Sequence, residues 1–134
     1  MKQIKGTKRD LVAILKGLLE VQDLPGKDFG IAVAQNLELL QSKLQDIEKM
    51  GTVSSKFLEI ANVINQLTKE EKIEEAQKLE HENQHLLDER RDQLSQVEIA
   101  LDVKASIKLH IIERRILPDT ISGKQIYGIT RILE

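Results

Sequence analysis

The run Lys69-Glu70-Glu71-Lys72-Ile73-Glu74-Glu75-Ala76-Gln77-Lys78-Leu79 continues through Leu86-Leu87-Asp88-Glu89-Arg90-Arg91-Asp92 to Lys104 without a single Gly or Pro. Outward from it, Gly is absent between Gly51 and Gly123, and Pro between Pro25 and Pro118. A breaker-free stretch rich in Glu, Lys, Gln and Leu predicts long helix. Unbroken from Lys69 to Lys104 it would extend about 54 Å, against a radius of gyration of about 14 Å for a compact chain of this size. Its apolar content is thin: Leu79 and Leu86 lie one heptad apart, as do Leu87, Leu94 and Leu101. So narrow a seam needs a partner, either the other arm of an antiparallel hairpin or another molecule.

Towards the N-terminus the pattern becomes greasier. Lys2 to Lys5 alternate weakly, so residues 1–6 form a candidate strand. Thr7 stands three residues before Asp10, an N-cap with a nearby acid. Leu11, Val12, Ile14, Leu15, Leu18 and Leu19 then recur at three- and four-residue steps, giving a helix over 7–21. Leu24-Pro25-Gly26-Lys27 is a turn, with Asp28 placed to cap a helix over 28–50. In that helix Val33, Leu37, Leu40, Leu44 and Ile47 step 4, 3, 4, 3, a heptad seam suited to a partner or oligomer interface. Helix resumes over 54–105, where Thr68 and Glu71 form a capping-box pattern that would kink or restart it.

Towards the C-terminus the period changes to two. Ile107, Leu109 and Ile111 alternate with Lys108 and His110, so 106–112 is a second candidate strand, placed to pair with the first. Leu117-Pro118-Asp119 turns the chain, and Ser122 with Gln125 opens a last helix over 122–133. The expected fold is therefore mainly α (α+β), one domain over residues 1–134. It comprises a long helical hairpin, short N- and C-terminal helices and a two-stranded β element.

Composition excludes several classes of function. The 134 residues contain no Cys, which removes disulfides, iron–sulfur clusters, zinc fingers and thiol catalysis. Phe29, Phe57 and Tyr127 are too few for a base-stacking platform. A net charge of -2 argues against nucleic acid as partner. No apolar run reaches the length of a membrane span, and no signal-peptide core follows the first residues, so the expectation is a cytosolic protein.

One catalytic motif is present literally. His81-Glu82-Asn83-Gln84-His85 reads H-E-x-x-H, which on a helix sets two imidazoles on one face to hold zinc while the glutamate activates water. Such a site needs a third ligand and a dry setting. Asp88 and Arg91 stand where the extended zinc-protease pattern requires Gly and His. Glu98 would lie about 20 Å along the same helix. The segment reads as a solvated face, with no catalytic residue, metal or cofactor expected; a zinc hydrolase is the least favoured alternative. Glu74 and Glu75 belong to the same polar surface.

Charge is segregated. Residues 69–102 carry five basic and eleven acidic side chains, a net -6, while both chain ends are basic. If the terminal strands pair, Lys2, Lys5, Arg9, Lys108, His110, Arg114 and Arg115 converge into a candidate pocket for an anionic nucleotide. The more economical reading is surface charge that balances an acidic hairpin.

The segments Leu24-Pro25, Ala32 to Leu37 with Leu39-Leu40, and Ile107-Lys108-Leu109-His110 through Leu117-Pro118-Asp119, Ile121-Ser122 and Gln125 resemble a widespread family of short bacteriophage and prophage proteins. The resemblance spans most of the chain as an order of elements, with specific residues in Leu24–Leu40 and Ile107–Leu133. It implies phage or prophage origin, residence in the cytoplasm of the bacterial host and action by binding. The expected function is a non-enzymatic, oligomeric binding protein acting through its helical seam (Val33, Leu37, Leu40, Leu44, Leu87, Leu94, Leu101) on itself or on a host or virion protein. It would serve as a virion-assembly factor or an inhibitor of a host defence component. The alternative is an oligomeric anti-defence protein that sequesters a nucleotide signal.

Overall fold

A computed structural model describes residues 1–134. Strand β1 (Lys2–Thr7) leads into α1 (Lys8–Val21), α2 (Lys27–Lys43), α3 (Gln45–Met50), α4 (Ser55–Lys69), α5 (Ile73–Glu82) and α6 (Gln84–Leu101). Strand β2 (Lys104–Leu109) and α7 (Gly123–Gly128) follow, with short 3-10 turns at Arg114–Ile116 and Thr130–Ile132. The fold is mainly α with a two-stranded antiparallel sheet, as the periodicity predicts. No helix is long and apolar enough to cross a membrane.

The chain forms two compact units where the sequence reads as one domain. Met1–Asp46 and Ala100–Glu134 make the first, Ile47–Ile99 the second. The first is organised around the strand pairing, in which Lys2 stands opposite Leu109, Ile4 opposite Ile107 and Thr7 opposite Lys104. Thr7 caps α1 in a full capping box: its hydroxyl accepts from the Asp10 amide, and the Asp10 carboxylate accepts from the Thr7 N–H at 2.8 Å. Ser122 and Gln125 repeat that device at α7. Asp28 does not cap α2: Gly26 occupies the cap at φ 116°, a conformation that favours glycine, and Asp28 lies in the first turn.

Helix α1 packs on α2, α7 and the sheet. Leu11, Ile14, Leu18 and Val21 of α1 are buried together with Phe29, Val33, Leu37, Leu40 and Leu44. The heptad seam of α2 is thus closed within the chain and is not available to a partner. The reason is that the stripe of α1, equally apolar, supplies the surface that seam needs. Gly17 lets α1 approach α7 closely: a Cβ there would run into the backbone carbonyl of Gly128. Asn36 is the one buried polar side chain, donating to the His110 carbonyl at 2.9 Å and accepting from the His110 N–H at 2.7 Å. It extends β2 onto α2 with a side chain in place of a third strand. Beyond β2, Ile112 bridges to Leu133 in parallel and brings Ile129, Ile132 and Leu133 into the same core.

The second unit contains no unbroken rod. Helix α4, capped by Ser54, ends where Glu71 adopts a left-handed conformation (φ 62°). The Lys72 N–H bonds to the Leu67 carbonyl and the Glu71 N–H to that of Thr68, the paired bonds of a Schellman ending. The chain therefore turns within three residues and α5 packs on α4. A break near Thr68 is thus real, but Thr68 is no cap, since its hydroxyl donates to the Ile64 carbonyl. A second break falls at Asn83, whose amide donates to Leu79 O at 2.9 Å. Helix α6 holds the loop before α4, with Arg90 donating to Gly51 O and Gln93 to the carbonyls of Met50 and Thr52.

Candidate functional site

The H-E-x-x-H residues do not lie on one helix. His81 and Glu82 end α5, Asn83 adopts φ -115° and ψ 24°, and Gln84 and His85 begin α6. Both imidazoles are exposed, and nowhere do three His, Asp or Glu side chains lie where they could share a metal ion.

Of the seven residues of the expected basic pocket, the strand pairing brings Lys5 and Lys108 onto one face and leaves the others elsewhere. Side chains on a strand alternate between faces. Lys2 shares a face with the buried Ile4 and donates to the Arg131 carbonyl. Lys5 and Lys108 occupy the opposite, exposed face. Arg9 pairs with Asp102 and Arg115 with Glu113, while Arg114 donates to the Glu134 carbonyl. His110 lies past the end of β2 and lines a small cavity of about 300 Å³ with Gln35, Glu38 and Ser42. The pleat thus turns part of the cluster away, and Arg9 and Arg115 are neutralised locally.

Two features remain. One is a cleft of about 740 Å³ over β1 and β2, lined by Lys5, Thr7, Lys104 and Ser106 together with Lys43 from the end of α2. Sequence reasoning missed Lys43, which nothing local connects to the strands. Lys104 likewise stands outside the seven residues expected there.

The other is apolar exposure distributed over the helices of residues 47–99. There the only fully buried hydrophobic side chain is Ala76. Phe57, Ile60, Ile64 and Leu67 of α4 are half-buried, and so are Leu86, Leu87 and Val97 of α6. Leu58 is 49% exposed, Val63 47%, Ile73 48%, Leu94 47% and Ile99 64%. Of the expected seam, Leu87 and Leu101 are half-buried and Leu94 open, so the α6 part keeps accessible apolar surface while the α2 part has none. The unit holds twelve acidic and seven basic residues, a net -5. Glu70, in the α4–α5 turn, is held below the ordinary glutamate range by hydrogen bonds from the side chains of Gln66 and Lys72.

Comparison of the chain with protein-family models, with curated proteins and with solved structures gives no match.

Proposed function

We propose that this is a non-enzymatic binding protein whose segment 47–99 docks a protein partner by helix packing. One observation carries the reading: five large apolar side chains in that segment are about half exposed, while its buried core amounts to Ala76. Open apolar surface on short helices gains about 25 cal/mol per Å² when covered, so an occupant stabilises the unit as it binds. Charge selects the occupant. At -5 the unit opposes its own copy and attracts an amphipathic helix edged with Lys or Arg. With the resemblance of Leu24–Leu40 and Ile107–Leu133 to phage proteins, the role we assign is that of a phage-encoded binder directed at a host or virion protein in the host cytoplasm.

The test uses synthetic peptides. A fluorescent amphipathic helix with a leucine stripe and lysine flanks is expected to bind, more weakly at high salt, and Leu94→Asp with Leu58→Asp to abolish binding while the circular dichroism stays helical. An otherwise identical peptide with glutamate flanks should bind far less. Light scattering that shows a tight dimer broken by the same two substitutions would replace the partner with a second copy. A monomer that ignores both peptides would end the reading.

A further inference from the structure

We infer that the cleft over β1 and β2 is an anion site for a compact polyphosphate, recognised through its phosphates and not through a base. This goes beyond the helix-docking role, since every lining residue belongs to the first unit.

Register makes the cluster. Lys5 stands opposite Ser106 and Thr7 opposite Lys104, so these four share one face of the sheet. Lys5 and Lys104 are diagonal neighbours, a spacing of about 7–8 Å in an antiparallel pair, close enough for two ammonium groups to reach one phosphate chain. Lys43, the last residue of α2, adds a third cation. The neighbouring cations Lys8 and Arg9 are neutralised by Asp46 and Asp102. No carboxylate pairs with Lys5, Lys43 or Lys104, and none lines the cleft. Asp10 lies beside Gly6, but its carboxylate is bound to the Thr7 N–H and hydroxyl. Like charges set together on one sheet face destabilise it, and an anion bound among them relieves that repulsion. The Ser106 hydroxyl, without an internal partner, can donate to the same ligand.

The ligand class follows from size, charge and lining. A volume of about 740 Å³ falls within the range of small-ligand sites. Three cations suit a chain of two or three phosphates. No aromatic side chain lines the cleft, so a base would gain nothing by stacking. Duplex nucleic acid is disfavoured by the chain's net charge of -2.

The experiment titrates sodium tripolyphosphate, ATP and adenosine into the full chain at low salt, read by calorimetry and by amide chemical shifts. Tripolyphosphate and ATP are expected to bind alike and adenosine not at all, with shifts centred on residues 5–7 and 104–106. Lys5→Gln, Lys43→Gln and Lys104→Gln should each weaken binding about two- to five-fold, as exposed ion pairs do. Lys124→Gln, on α7, should leave it unchanged. The triple variant should lose about tenfold to a hundredfold if the effects add; should it not fold, the single variants decide. Absence of tripolyphosphate binding overturns the inference, as do full affinity in the lysine variants, an equal loss in Lys124→Gln, or binding of adenosine.

Discussion

The two units of this chain use the same helical vocabulary at different apolar density. In residues 1–46 with 100–134, fifteen hydrophobic side chains are buried, from Ile4 and Leu11 to Ile132 and Leu133. Each contributes about 1.5–3 kcal/mol relative to exposure. Residues 47–99 bury Ala76 and hold themselves together otherwise: a Schellman turn at Glu71, the Ser54 cap, and the grip of Arg90 and Gln93 on the loop carbonyls of residues 50–52. The difference teaches that helix formation and core formation are separate achievements. Ser54 caps α4, but α5 has no side-chain cap and leans on α4. These short helices thus persist on partial packing, whereas a full core needs a second apolar surface facing the first.

The sharpest way to break this comparison is a matched pair of truncations. Leu18→Ala, at a fully buried position of α1, is expected to cost about 2–5 kcal/mol in denaturant unfolding. Leu94→Ala, at a half-exposed position of α6, should stay within about 0.5 kcal/mol of the parent. Equal losses would mean that the second unit has a core after all.

Next in size is Asn36→Leu, which removes both bonds to the His110 backbone inside the first unit. It should cost about 2–4 kcal/mol by leaving a buried N–H and carbonyl unpaired, with loss of amide protection at His110 as the readout.

A gain is expected in the second unit. Glu71→Gly replaces a strained left-handed residue with one that adopts φ 62° freely, adding about 1 kcal/mol to local stability. Slower hydrogen exchange in α4 and α5, with α1 unchanged, would sharpen the division between the units.

The smallest effect is a pH dependence that both units share. The Thr7 N–H holds the Asp10 carboxyl below its ordinary 3.8, and the Gln66 side chain, followed by Lys72, holds Glu70 below its ordinary 4.5. Folded values below the unfolded ones mean that each contribution is complete above the ordinary value and fades as pH falls through the lower, folded one. Acid should therefore loosen the first turn of α1 and the α4–α5 turn, seen as faster exchange at the Thr7 and Lys72 amides. Both remain ordered above pH 5.

Much of the fold was legible. Thr7-Lys-Arg-Asp10 and Ser122-Gly-Lys-Gln125 mark two helix starts by chemistry that acts over three residues, and the alternation around Lys108 marks β2. The break at Asn83 was not legible, because Asn within a polar helical run carries no stop signal stronger than its neighbours. The site was less legible than the fold. Lys43 reaches the cleft from a helix end some sixty residues away in sequence from Lys104, and the pairing of Arg9 with Asp102 depends on the same return of the chain.

Local sequence alone determined where α1 and α7 begin, that a short strand lies near each end of the helical run, and that residues 69–102 are acidic and poor in apolar side chains, because those properties are set within a few residues. Tertiary structure decided that the seam of α2 closes on α1 while Leu94 stays open, and that Lys5 meets Lys43 and Lys104 instead of Arg9 and Arg114. Packing partners and strand faces are chosen by the whole chain: a seam or a charge has no destination until the opposing surface has been put in place.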